Sequence, residues 1–316
     1  MQPWPAQSPA EHAAMFSRIS ASRSAAPLAA FAGGALPHTL LSACSETLLP
    51  FFSTKAVLPL RATCKDAVAA VAAHPWEDME TVILGSIGGW RACFPRARCA
   101  NVREWCGDVV RRTPVVDGDF AHLEGLWELG MGGCRAVTDT ALAHLRGIRV
   151  LDMTFCDQAA VTDAGLAHLV GIQKLSIAYC SQATLTDAAL APLKGIRTLN
   201  MSSCPQLTDA AFAHLQGLHT LLMAHCSQPT ITDAALAHLG GIQCLVLYGC
   251  SMPFTAAGLA HLRGIARLHM GGANAASIAA ARGLGLPATT ADWTEISAFR
   301  WSDREAAWPA EWVHTR

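Results

Sequence analysis

The sequence predicts an α/β solenoid, a stack of short parallel strands alternating with short helices, and three regularities carry that prediction. Glycines stand before an apolar segment at Gly125, Gly147, Gly171, Gly195, Gly217, Gly241 and Gly264, at intervals of 22, 24, 24, 22, 24 and 23 residues. Nine residues after each of the first six comes a cysteine: Cys134, Cys156, Cys180, Cys204, Cys226 and Cys250. Nine residues before each glycine from Gly147 onward stands a threonine: Thr138, Thr162, Thr186, Thr208, Thr232 and Thr255. A constant period of this size denotes a chain built from one structural unit copied end to end.

The segment from glycine to cysteine reads Ile148, Leu151, Met153, Cys156 in one copy and Ile172, Leu175, Ile177, Cys180 in the next. Its alternation of apolar and other residues is that of a short strand. The segment after the threonine, Thr186-Asp187-Ala-Ala-Leu190-Ala-Pro-Leu193-Lys-Gly195, places apolar residues three apart and predicts a two-turn helix. Threonine caps its first turn, aspartate sits at the positive end of the dipole, and glycine supplies the left-handed stop. All length variation falls between cysteine and the next threonine, with gaps of 4, 6, 6, 4, 6 and 5 residues, and only a loop absorbs such changes cheaply. One strand and one short helix cannot bury their own apolar faces, so the copies must stack, with strands about 4.8 Å apart.

This frame, L-x-x-L-x-L-x-x-C followed by a Thr-Asp helix start, resembles the cysteine-containing class of leucine-rich repeats, over residues 120–273. The resemblance implies a leucine-rich-repeat solenoid that works by presenting a binding surface. The last copy keeps Leu268 and Met270 but has Ala273 in place of the cysteine, so the repeat is expected to end there. Residues 274–316, with Trp293, Trp301, Trp308 and Trp312, are expected to close the open apolar end or to meet a partner.

Composition narrows the function classes. The 23 basic and 24 acidic residues nearly cancel, which gives no global attraction to nucleic acid or to an anionic membrane. No apolar run reaches 18 residues, so no spanning helix is expected. Six of the twelve cysteines lie in one column of the repeat, a packing role that suits a reducing compartment, cytoplasmic or nuclear, better than a disulfide framework. Residues 1–33, rich in Ala, Ser and Pro, read as a disordered leader.

Before the repeats, residues 34–78 have the apolar spacing of short helices punctuated by Pro37, Pro50 and Pro59. The opening Leu36-Pro37, the paired Leu40-Leu41, the segment Leu60-Arg61-x-x-Cys64-Lys65 and the closing Pro75-Trp76 resemble an F-box. The sequence departs from that pattern in a slightly long spacing from Leu36 to Cys64 and in Ala67, where the family usually has tryptophan. The resemblance implies docking to a Skp-type adaptor, hence to a cullin-RING ligase, through Leu36, Pro37, Leu40, Leu41, Val57, Leu60 and Trp76. The plainer reading makes the same segment an N-terminal cap on the solenoid. Residues 79–119 are a connector with degenerate repeats, whose Cys93, Cys99 and Cys106 lack metal-site spacing.

Residues three, five, seven and eight after each glycine are expected to face outward and line the concave surface. For an unknown protein substrate the expected contacts are Asp152, Phe155, Lys174, Tyr179, Asn200, His225, Tyr248 and Arg267. Both tyrosines of the chain and Phe155 fall in this set, as aromatic anchors for a partner or as cover for the rims of neighbouring rungs. Charges of both signs argue against a nucleic-acid groove. The histidines three residues before most repeat glycines (His122, His144, His168, His214, His238, His261) form a column in the last helical turn, which the helix dipole explains without a metal. No phosphate loop, nucleophile-base pair or zinc spacing is present, so no enzyme activity and no cofactor are expected.

Overall fold

The computed structural model describes Leu49 and residues 53–61, 65–79, 81–106, 109–110 and 113–290. Leu36, Pro37, Leu40, Leu41, the side chain of Leu60 and the four tryptophans after residue 290 lie outside the described residues.

The architecture is a leucine-rich-repeat solenoid. Its strands are β1 (Cys99–Asn101), β4 (Glu128–Gly130), β5 (Val150–Asp152), β6 (Lys174–Ser176), β7 (Thr198–Asn200), β8 (Thr220–Leu222), β9 (Cys244–Val246), β10 (Arg267–His269) and β11 (Ala288–Thr289). Among the described residues they form one nine-stranded sheet in chain order, parallel throughout. A small antiparallel pair, β2 (Trp105–Cys106) and β3 (Val109–Val110), sits beside it.

Register follows from the leucine column: Leu129, Leu151, Leu175, Leu199, Leu221, Leu245 and Leu268 are each paired to the next. Each is fully buried, as are Met131, Met153, Met201, Met223 and Met270 two positions on, so a slip by one residue would expose a whole core row. On the opposite side, buried Leu142, Leu166, Leu190, Phe212, Leu236 and Leu259 complete a single continuous core. No helix among the described residues is long and apolar enough to cross a membrane.

The helices are shorter than the sequence predicts. Asp139–Ala143, Asp163–Leu166, Asp209–Phe212, Asp233–Ala237 and Ala256–Leu259 make about one α-turn each, and Asp187–Leu190 is a 3-10 turn. After each turn the bonds tighten, Leu145 N–H to the Leu142 carbonyl at 3.0 Å and Ile148 N–H to the Leu145 carbonyl at 3.1 Å, which brings the chain round to the strand. Gly147, at φ +85°, reverses direction there. Pro192 explains the 3-10 copy in part, because it has no N–H to close an α-type bond to Ala188.

The stack also runs further at both ends than residues 120–273. Upstream, helix Ile87–Cys93, capped by Ser86 at 3.1 Å from Gly89 N–H, precedes β1. Downstream, Asn274 caps helix Ala275–Gly283, Gly285 turns at φ +70°, and β11 joins β10. The missing cysteine at 273 does not end the stack, since strand pairing needs only backbone and the apolar surface of Leu268 and Met270.

The repeated Thr-Asp pair has a role that the dipole argument does not contain. The carboxylate of each aspartate accepts the backbone N–H and the hydroxyl of the threonine in the following copy: Asp117 to Thr138, Asp139 to Thr162, Asp163 to Thr186, Asp187 to Thr208, Asp209 to Thr232 and Asp233 to Thr255. The N–H bonds measure 2.7 to 2.9 Å. In the first five pairs each threonine oxygen then accepts the N–H two residues on, at 3.1 or 3.2 Å. Ala256 ends the series.

Helices Thr54–Arg61 (α1) and Lys65–Ala73 (α2) pack against the first rungs. Leu49, Val57, Val71, Trp76, Phe94 and Ala97 form a second, smaller core, and Trp90 touches both cores. The Trp76 carbonyl accepts Arg98 and Cys99 N–H at 2.7 and 3.2 Å, the same pattern by which the Trp127 carbonyl accepts Arg149 and Val150 N–H. Trp76 therefore begins the outermost rung.

Asp163→Ala, which removes both bonds to Thr186, is expected to lower the unfolding free energy by about 1–2 kcal/mol. Asp163→Asn, which keeps the N–H acceptor, is expected to cost less than half of that. Urea denaturation followed by circular dichroism checks both.

Candidate partner-binding face

Strand alternation puts every second residue on the outward face. Asp152 and Lys174 are nonetheless 7% exposed, Asn200, Phe155 and Tyr248 are half-buried, and Tyr179, His225 and Arg267 are exposed. Asp152 is paired with Arg103, a residue of the connector that sequence reasoning did not single out, and its other oxygen accepts Thr154 N–H at 3.0 Å. Asn200 holds its own strand exit in the same way, accepting Ser202 N–H at 3.1 Å and the Ser202 hydroxyl at 2.7 Å. These two side chains shape the sheet edge.

Three positions after the last strand residue, the backbone turns left-handed in every copy from β4 to β10. Gly133, Gly249 and Gly272 occupy this column, and so do Phe155, Tyr179, Ser203 and His225, at φ between 55° and 62°. Such a conformation costs a residue with a side chain about 1–3 kcal/mol. Interstrand bonds hold it: the N–H groups of Phe155, Tyr179, Ser203 and His225 donate to carbonyls of the next copy at 2.8 to 3.0 Å. The three glycines in the column were the sequence signal for it.

The consequence is a rim of aromatic side chains at repeat spacing. Phe155 and Tyr179 stack with centroids 4.4 Å apart and planes 16° from parallel, and His225 meets Tyr248 edge-on at 5.5 Å. Between the two pairs Ser203 leaves a shallow hollow of about 450 Å³, lined by Ser181, Ser203, Pro205, His225, Ser227 and Gln228. Burial lowers the His225 pKa, which favours the neutral ring. A Cβ at Gly249 would lie 2.6 Å from His225 Nδ1, so a side chain there requires the His225 ring to shift.

The cysteine column faces inward. Each Sγ donates to a carbonyl of the preceding copy, from 2.9 Å for Cys250 to Met223 up to 3.6 Å for Cys134 to Val102. Burial raises the thiol pKa values of Cys156, Cys180, Cys204, Cys226 and Cys250, to about 12 at Cys204 and Cys250, which favours the protonated thiol. A glutamine column that sequence reasoning missed lies two residues beyond: Gln158, Gln182, Gln206 and Gln228 donate to the carbonyls of Cys134, Cys156, Cys180 and Cys204 at 2.7 to 3.1 Å. The histidine column pairs with other groups, His144 with Glu124 at 2.7 Å and His168 with Arg146 at 3.4 Å. Among the described residues no three His, Cys, Asp or Glu side chains converge as a metal site would need.

Of the expected adaptor contacts whose side chains are described, Val57 and Trp76 are 2% and 1% exposed and turned into the smaller core. Leu58 on α1 and Val68 on α2, which were not among the expected contacts, are 46% and 37% exposed.

No protein-family profile matches the chain. No curated protein matches it either. Among solved structures it is similar to an internalin C2 from Listeria monocytogenes, with 21% identity over 58% of this chain and 75% of that one and a TM-score of 0.46. It is also similar to TLR13 in a complex with single-stranded RNA, with 18% identity over 62% of this chain and a TM-score of 0.45. The chain spans 27% of that TLR13 chain. A third similar structure is the yeast Rad7 and Elc1 complex, with 23% identity over 43% of this chain and 40% of that one and a TM-score of 0.37.

Ser203→Gly relieves left-handed strain without losing a described contact and is expected to stabilise the fold by about 0.5–1 kcal/mol. Gly249→Ala is expected to act oppositely, by about 1–3 kcal/mol, through the clash with His225. Paired urea melts give both signs.

Proposed function

We propose that this protein is a substrate-recognition adaptor of a cullin-RING ubiquitin ligase of the SCF type. The strand face binds a substrate protein, and the helical segment over residues 34–78 docks a Skp-type adaptor. The binding role is supported above all by the aromatic rim, where Phe155, Tyr179 and His225 are held in a strained backbone that projects them at fixed spacing. Rigid aromatic side chains beside a hollow are the usual anchors of protein recognition. The docking role is supported by Leu58 and Val68, which leave apolar surface open on the outer side of α1 and α2. The proposed action is to hold two proteins together, with no chemistry of its own.

The second reading is a leucine-rich-repeat scaffold with no ubiquitin role. The burial of Val57 and Trp76 favours it, because residues that cap the solenoid are not free to meet an adaptor.

Co-purification of the full chain with a Skp-type adaptor and a cullin separates the readings. Capture by the wild type, lost in Leu58→Asp/Val68→Asp with an unchanged circular dichroism spectrum, is the outcome expected of the ligase adaptor. Absence of wild-type capture leaves the scaffold. In either case Phe155→Ala/Tyr179→Ala is expected to weaken the captured partner at least about tenfold in proximity labelling.

A further inference from the structure

The repeat keeps its carboxylates and its cations at different places in the coil. The aspartates stand at the helix starts, where Asp139, Asp163, Asp187, Asp209 and Asp233 are each bound to the threonine of the following copy. The turn from helix end to strand entry has the opposite character. Around the glycines from Gly147 to Gly264, the positions three before, one before and two after hold five Lys or Arg, six His and no Asp or Glu. Arg146, Lys194 and Arg263 come one residue before the glycine and are exposed, and Arg149 and Arg197 come two residues after it and are half-buried. Among the described residues, Arg146, Arg149, Lys194 and Arg263 have no carboxylate within ion-pair distance.

The half-buried arginines lie along the stack. Arg149 Nη1 donates to the Gly171 carbonyl of the next copy at 2.8 Å, and Arg197 Nη1 lies 3.2 Å from His219 Nε2. A guanidinium held at one corner keeps its other N–H groups in a fixed fork, the geometry that a carboxylate meets best. Strands β5, β6 and β7 pair in order, so the Arg146 and Arg149 pair and the Lys194 and Arg197 pair sit two rungs apart, about 10 Å. Residues three apart in an extended chain are separated by about 10 Å as well. Trp127, 47% exposed, heads the column of Arg149, and Val170, 65% exposed, stands in that of Arg146. Apolar side chains among the cations suit a polypeptide, which can cover them with apolar side chains of its own, better than a bare phosphate chain.

We propose that this edge is a second docking surface, which takes an acidic protein segment extended across the rungs. Its carboxylates meet Arg146 and Arg149 in one copy and Lys194 and Arg197 two copies on, and its apolar side chains meet Trp127 and Val170. The edge precedes the strands, whereas the rim of Phe155, Tyr179 and His225 follows them, so the proposal stands whether or not the strand face receives a substrate.

The test is fluorescence anisotropy of the full chain with a fluorescein-labelled Glu-Gly-Ser repeat peptide, which carries an acid at every third residue. Glutamine already occupies the arginine column at Gln173 and Gln243, where its amide donates to the Gly171 and Gly241 carbonyls at 3.1 and 2.9 Å. Arg149→Gln/Arg197→Gln therefore places a residue that the coil accommodates. Wild-type binding that is at least about tenfold weaker in this variant, and within about twofold in the equally charged Lys55→Gln/Lys65→Gln on α1 and α2, is the expected result. Should the arginine pair lower the melting temperature, the exposed Arg146→Gln/Lys194→Gln is read by the same criterion. No wild-type binding, no loss in the arginine variant, equal loss in the two variants, or tighter binding of oligothymidine or of phosphatidylserine vesicles than of the peptide overturns the proposal.

Discussion

One carboxylate ties each copy of the repeat to the next. The first turn of a helix leaves backbone N–H groups without partners, and helices of four or five residues have little else to hold them. Here Asp163 reaches across to Thr186, takes its N–H and its hydroxyl, and so orients the Thr186 oxygen to accept Ala188 N–H. The helix start of one copy is completed by the copy before it. Neither is stable alone, which makes the molecule a one-dimensional stack whose order propagates from neighbour to neighbour. Thiols and glutamine amides act in the same direction at the other corners of each coil, where Cys180 donates to the Met153 carbonyl and Gln182 to the Cys156 carbonyl. The leucine core supplies the cohesion, and these polar contacts set its spacing.

The candidate binding rim is a by-product of that stacking. Strand bonds between copies extend past the strand to the residue before each cysteine and force it left-handed. Where that residue is glycine the turn is free of strain. Where it is Phe155, Tyr179 or His225, the sheet bears the strain and a large ring is displayed in return. The face thus inherits its spacing from the core, and its character from which residues occupy one strained column.

At the N-terminal end the same backbone pattern reaches Trp76, whose carbonyl serves β1 as Trp127 serves β5. The buried side of α1 and α2 belongs to the solenoid and the side carrying Leu58 and Val68 does not. A segment can therefore be cap and docking module at once, provided that the two roles use opposite faces.

The strands, their register, the loop positions and the capping threonines were legible from residue spacing, because each rests on residues close together in the chain and on one repeated apolar pattern. The short helices were misjudged in length, and the left-handed column was overlooked although Gly133, Gly249 and Gly272 marked it. The aspartate bridges, the Arg103 to Asp152 pair and the partners of the glutamine column were beyond reach of the sequence. Each joins groups from different copies or segments, such as Asp139 and Thr162, 23 residues apart. A local pattern determines what a unit is, whereas a polar side chain acquires its role from the atom that stacking places beside it, and only the tertiary structure decides which atom that is.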